Sequence, residues 1–190
     1  MAATQITSRN TFRRADDYTP GTPKVKPVTE PLPLPLDPTS VLVKVHAISL
    51  NYRDANIANG GNPWPTIPHG IPCSDAAGEI VAVGDSVKTL VLGDRVATIV
   101  DTENITGREA TRSWLAADQD GVLADYVVFE EWKLCKIPSY IGWFEASLIT
   151  CAGVTAWTAL KGMEIGQTVL IQGSLHVLPC SVWRSHALLG

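Results

Sequence analysis

Four consecutive residues, Asn51-Tyr52-Arg53-Asp54, bring an amide, a phenol and a carboxyl group into one short stretch. An amide can donate a hydrogen bond to a substrate oxygen, and Asn at such a position can equally cap a helix start. A phenol of pKa about 10 is a weak acid unless its surroundings perturb it, so packing is the simpler role for Tyr52. Asp54 is read first as a brace of the local turn and second as an acid. His69, Cys73, Asp75 and Glu79 offer metal-ligating types. Glu79 falls within a strand pattern, however, and neither His69 nor Cys73 has a close partner at ligand spacing. The cysteines Cys73, Cys135, Cys151 and Cys180 contain no C-x-x-C pair, so neither a zinc ribbon nor a dithiol redox motif is written here. They read as reduced, mostly buried thiols of a cytoplasmic protein. His46, on a strand, reads as a histidine of the barrel surface or core.

These residues must be held by short strands. Val41, Val43, Val45 and Ala47 alternate with Leu42, Lys44, His46 and Ile48, which predicts a strand over 41–49. Asn51 then opens a short helical turn ending at Gly60-Gly61. Further strands are expected at 76–84, 95–100, 126–129 and 133–137, separated by turns such as Gly84-Asp85 and Gly93-Asp94. Strands at this spacing suggest a small β-barrel. Residues 62–72 hold Pro63, Pro65, Pro68 and Pro72 and predict a rigid irregular loop, and 101–120 is a polar loop without period. After Pro138 the pattern changes. Ser139 is placed to cap a helix through Trp143 and Leu148, a second helix runs from Val154 to Leu160, and Thr168–Gly173 reads as the first buried strand of an α/β unit.

At the other end, seven of thirteen prolines lie between Pro20 and Pro38, so that stretch is expected to be extended, without helix or central strand. Pro31-Leu32-Pro33-Leu34-Pro35 is either a polyproline ligand or, more simply, a lead-in laid across the barrel. Arg9, Arg13 and Arg14, with no acid before Asp16, faintly resemble a mitochondrial transit peptide, but a first strand over 8–15 with solvated arginines explains them as well.

Composition narrows the function class. With 45% hydrophobic and 18% charged residues the chain is not disordered over most of its length. Its net charge of −4 leaves no basic footprint for nucleic acid or anionic lipid. No run of 18 apolar residues predicts a membrane span. A soluble metabolic protein is expected.

Six segments in order carry a more specific signal. They are V-L-V-K-V-H-A-I-S-L-N-Y-R-D (41–54), C-S-D-A-A-G-E-I-V-A-V-G (73–84), V-L-G-D-R-V (91–96), G-V-L-A-D-Y-V-V-F (121–129), C-A-G-V-T-A-W-T-A-L (151–160) and G-Q-T-V-L-I-Q-G (166–173). Together they resemble the medium-chain dehydrogenase/reductase superfamily, its alcohol dehydrogenase-like and quinone oxidoreductase-like members. The resemblance implies a fold that is mainly β with α: a GroES-like barrel over 38–140 after a lead-in of 1–37, then the start of a Rossmann NAD(P)-binding domain over 141–173. It also implies hydride transfer from NADP(H) to a small-molecule enone, quinone or carbonyl substrate. The zinc-ligand positions of the family hold Asn51, Ser74 and Asp75 here, and 101–120 lacks the cysteines of the family's second lobe. The zinc-independent branch, with no metal, is therefore expected. By resemblance Asn51, Tyr52 and Asp54 fall at the catalytic positions, and Thr155 and Gly173 at the cofactor-binding ones.

The resemblance stops at residue 174. Relatives continue with a glycine-rich turn and a long helix that hold the pyrophosphate. Here Leu175 and His176 stand where glycines belong and Pro179 disfavours a helix. Residues 174–190 are thus expected to be a divergent tail of a truncated copy, inactive and with negligible NADPH affinity. The alternative is a non-enzymatic GroES-like binding module or pseudo-enzyme. The cofactor that such a domain prefers, its substrate and the oligomeric state are not written in these residues.

Overall fold

A computed structural model describes residues 6–164 and 166–170. The arginine-rich start forms β1 (Ser8–Arg14), which pairs antiparallel with β2 (Val25–Pro31), Ser8 opposite Pro31 and Arg14 opposite Val25. Two prolines fit β2 because a two-stranded ribbon leaves edge positions where a missing donor costs little. The arginines are not solvated as expected. Arg9 Nη2 lies 2.6 Å from Glu30 Oε1, Arg13 Nε 2.7 Å from Glu30 Oε2, and Arg13 Nη1 3.1 Å from Asp120 Oδ1. Arg14 is buried and donates through Nη2 to the Ile67 carbonyl. The proline-rich lead-in lies against the body of the protein, with Leu32 buried.

Alternating valines and alanines build the main sheet. β3 (Ser40–Ser49), β4 (Asp75–Val83), β5 (Arg95–Thr98), β6 (Tyr126–Glu130) and β7 (Leu134–Lys136) are arranged in the order β6-β3-β4-β5-β7, antiparallel throughout. The period of two separates two faces. Val41, Val43, Ala76, Ile80, Val96 and Val127 enter one apolar core. Ala77 and Ala97 point to the other face, where their small size lets Ala146 sit against the sheet.

A short helix α1 (Tyr52–Ala58) follows β3. The later helices differ from the expected pair. α2 (Trp143–Leu148), a π turn (Ile149–Gly153) and α3 (Val154–Ala159) form one helical run, whose first cap is Gly142 and not Ser139. Arg95 explains the later start. Its Nη1 and Nη2 donate to the carbonyls of Ser139 and Ile141, each at 2.7 Å, and hold that segment as a turn. The same guanidinium lies 3.9 Å from the Trp143 ring centroid, and His46 stacks on that indole at 4.5 Å. Trp143 and His46 therefore pack on the barrel itself.

The expected strand at 168–173 is not formed over Thr168–Leu170, where Leu170 is 82% exposed. A strand needs a neighbour for its amides, and no described segment pairs with this one. Gly173 and the tail at 174–190 lie outside the described residues. The loop at 101–120 is irregular as expected, but Thr102, Leu115, Ala116 and Ala117 bury themselves and anchor it. No described helix is long and apolar enough to cross a membrane.

Gly121 joins that loop to the chain entering β4. Its N–H donates to the Ile71 carbonyl at 2.8 Å, and a Cβ there would collide with the carbonyls of Ile71, Pro72 and Cys73. Gly121→Ala should therefore cost about 2–3 kcal/mol by overpacking against backbone that cannot step aside. Gly107→Ala, at φ 81° with open space around it, should cost only about 1 kcal/mol. Urea denaturation of the two variants checks the order; equal losses would contradict the clash.

Candidate active site

The site begins with strand register. β3 and β4 pair so that Ser49 faces Asp75, which brings the chain just after β3 against the chain just before β4. Asn51 and Ser74 meet there. Asn51 starts α1: its N–H donates to Asp54 Oδ2 at 2.7 Å, and the Asp54 N–H donates back to the Asn51 carbonyl at 3.0 Å. Asp54 thus braces the first turn, the simpler of its two expected roles. Burial raises its carboxyl above the ordinary range, although the Asn51 N–H pulls it back.

The Asn51 side chain points to Asp75. Its Nδ2 donates to Asp75 Oδ2 at 3.0 Å, and Ser74 Oγ lies 3.3 Å from Asp75 Oδ1. Asp75 is fully buried, and desolvation lifts its carboxyl to about 6. The hydrogen bonds from Asn51 and Ser74 and the charge of Arg53 oppose that rise, while Asp54 adds to it. Two thiols flank the pair. Burial, then the Asp54 and Asp75 charges, push Cys73 up to about 12. Burial, then the Asp75 charge, push Cys151 up to about 11.

This polar floor opens into a cleft of about 480 Å³, lined mainly by apolar surface. Two tryptophans form a wall: Trp64 and Trp114 have ring centroids 5.5 Å apart at an interplanar angle of 81°. Trp114 is fixed by hydrogen bonds from Nε1 to Asp101 Oδ2 at 3.2 Å and from its N–H to Asp118 Oδ2 at 2.8 Å. Arg53 lies 5.9 Å from the Trp114 ring centroid and donates to the Leu115 carbonyl at 2.8 Å. The opposite wall is the π turn and the start of α3. Cys151 lines it with Thr155, whose Oγ1 donates to the Cys151 carbonyl at 2.7 Å. The π turn places Cys151 and Ala152 on the cleft lining, and such turns are common at functional sites.

Asn51, Tyr52 and Thr155 therefore surround one cleft, with Tyr52 at its rim, 74% exposed rather than packed. Asp54 stands behind it. Arg53, Trp64, Trp114, Cys151 and the Asp75–Asn51 contact were not singled out from the sequence. Cys151 heads the C-A-G-V-T-A motif and was findable there; the tryptophans sit in loops without any pattern.

The donor set at the family's zinc positions is poor. Asn51 turns its NH₂, which is no metal donor, toward Asp75, and both Asp75 oxygens face hydrogen-bond donors. Among the described residues no three His, Cys, Asp or Glu side chains gather as a metal site. The residues present do not fit a tetrahedral catalytic zinc.

Asp75 also predicts a pH effect on stability. Unfolded, it titrates at its ordinary 3.8; folded, it keeps its proton to about 6. Between these values the folded state binds more proton, so this group's contribution to stability falls as pH rises and is lost above pH 6. The uncharged isostere Asp75→Asn should therefore gain on the parent between pH 4 and pH 8, by about 2–3 kcal/mol. Urea midpoints at the two pH values test this; a difference that does not move with pH would contradict it.

Comparison with known proteins agrees with this architecture. Residues 37–139 match the alcohol dehydrogenase GroES-like domain. A zinc-type alcohol dehydrogenase-like protein of Schizosaccharomyces pombe is 36% identical over 166 residues, covering 83% of this chain and 48% of that protein. The chloroplastic quinone-oxidoreductase QR1 of Triphysaria versicolor is 34% identical over 148 residues, covering 76% and 40%. A putative alcohol dehydrogenase structure from Sinorhizobium meliloti 1021 superposes with a TM-score of 0.71 at 30% identity, over 82% of this chain and 46% of that one. The chain spans less than half the length of these relatives. By its domain match and the order of its motifs, this chain belongs to the alcohol dehydrogenase-like proteins with a GroES-like domain, within the medium-chain dehydrogenase/reductase superfamily.

Proposed function

We propose that this chain carries the substrate-binding half of a zinc-independent NADP(H)-dependent reductase acting on the activated double bond of a small enone, quinone or enoyl compound. The observation that carries this reading is the Asn51–Asp75 pair at the cleft floor. A carboxylate facing two donors, next to an amide, is a hydrogen-bonding floor and a poor Lewis-acid site.

NADP(H), when bound, supplies the hydride. The chain's own residues handle the charge that follows. One Asn51 N–H is held by Asp75, which leaves the second free to donate to the oxygen of a developing enolate. Because Asp75 fixes the amide, that donor needs no reorientation as charge grows. Thr155 at the facing wall would be among the residues that hold the cofactor. Tyr52, at the rim, stands where a proton can reach the carbon from solvent. The exposed Phe144, Val154 and Trp157 on the helical run give a cofactor domain an apolar surface to cover.

Four measurements test this reading. This chain alone should show no NADPH binding in the micromolar range by calorimetry and far less than one zinc per chain by metal analysis. Joined to the remaining, C-terminal part of the Schizosaccharomyces pombe relative, it should reduce an enone with NADPH in the presence of EDTA. In that chimera Asn51→Leu should lower kcat by about 100-fold, the usual effect of losing one oxyanion donor. A stoichiometric, activity-restoring zinc would overturn the proposal.

A further inference from the structure

The cleft wall narrows the substrate class, on the reading of the site just proposed. Trp64 is 59% exposed although it borders an apolar cleft, so a large flat surface is left without a partner. Trp114 meets it nearly at a right angle, at 81° and 5.5 Å between centroids. Trp114 cannot swing away, because Asp101 and Asp118 hold its indole and backbone N–H groups and Arg53 lies over its ring. The result is a fixed indole and an open one forming a corner. A flat ring placed in such a corner stacks on one indole and meets the other edge-on, the two arrangements that aromatic quadrupoles favour. An alkyl chain in the same place gains burial only.

We propose that Trp64 and Trp114 form an aromatic corner that selects carbonyl substrates bearing a flat aromatic or quinonoid ring over those bearing an alkyl chain. The ring lies in the corner while its carbonyl oxygen reaches toward the Asn51 amide. Arg53 acts as a positioning residue: it sets the plane of Trp114 and does not touch the ring.

Two ketones with the same number of carbon atoms, benzylacetone and methyl octyl ketone, separate ring recognition from burial. Neither alkylates thiols, and the alkyl ketone is the more apolar, so burial alone favours it. Titrated into the full chain by calorimetry or ligand-observed NMR, benzylacetone should bind about five-fold more tightly. Trp64→Leu keeps an apolar wall but removes the ring, and should abolish or reverse the preference while leaving the alkyl ketone's affinity nearly unchanged. Trp132→Leu, at an exposed tryptophan outside the cleft lining, should change neither. Equal or tighter binding of the alkyl ketone, an unchanged preference in Trp64→Leu, or no binding of either ketone up to its solubility would each overturn the proposal. The titration needs no cofactor. A chimera that reduces enones while this chain shows no ring preference would sink the aromatic corner alone; a ring preference without reduction would sink only the proposed reaction.

Discussion

The antiparallel pairing of β3 with β4 is the constraint from which the site follows. A strand slip of one residue turns every side chain to the opposite face. With Ser49 opposite Asp75, the buried carboxylate meets the side chain of Asn51, two residues past Ser49. Two irregularities interrupt the pairing, an extra residue of β4 (Val81) between Leu42 and Val43 and an extra residue of β3 (His46) between Val45 and Ala47; they offset each other, so the register at the site end matches that at the start of β3. Gly78 supports it, because a Cβ there would overlap the Lys44 carbonyl of the facing strand. The polar floor is therefore a property of the most buried and best-paired part of the sheet, where a fully buried carboxylate can be held only by donors placed in advance.

The walls have a different origin. Trp64 and Trp114 stand on irregular segments that the sheet does not order directly. Those segments order each other: the Ile67 N–H donates to the Ala117 carbonyl at 2.8 Å, and Arg53 reaches from α1 to the Leu115 carbonyl. The far wall is docked through Ala146, which fits against Ala77 and Ala97 only because all three side chains are small. A rigid floor with loop-borne walls is a common division of labour: the scaffold fixes the reacting geometry and the loops choose what enters.

How legible this was in the sequence depends on the range of each interaction. β3, β4 and β6 follow from alternation within single segments, and the order of the motifs points to the barrel. Asn51 and Asp54 were readable because a helix start is a local event. No local pattern announces the partners of the β1 arginines: Glu30 meets Arg9 and Arg13 only across the β1–β2 pairing, and Asp120 lies 107 residues from Arg13. The cap at Gly142 in place of Ser139 is set by Arg95, which arrives from β5. The π turn has no signature in its residues. The Trp64–Trp114 corner joins two loops without periodicity, so only the folded chain shows it. Thr168–Leu170 carries strand-forming residues, yet propensity without a pairing partner does not make a strand.

The buried Asp75 carboxylate has a second consequence under the proposed chemistry. Enones and quinones are electrophiles, and a cleft that holds them against Cys151 risks alkylating itself. The attacking species would be the thiolate, not the thiol. Burial, with the charge of Asp75 beside it, pushes Cys151 up to about 11, so that thiol stays protonated at neutral pH. Cys73, behind the floor, is pushed higher still by burial and the same pair of carboxyl groups, Asp54 and Asp75. The group that orients the Asn51 amide toward a developing negative charge thus also adds, after burial, to what keeps the Cys151 thiol protonated. Removing its charge frees the amide to rotate and lets Cys151 ionise more easily. Asp75 therefore links the orientation of the donor to the chemical inertness of the cleft, and neither could be altered at this position without the other.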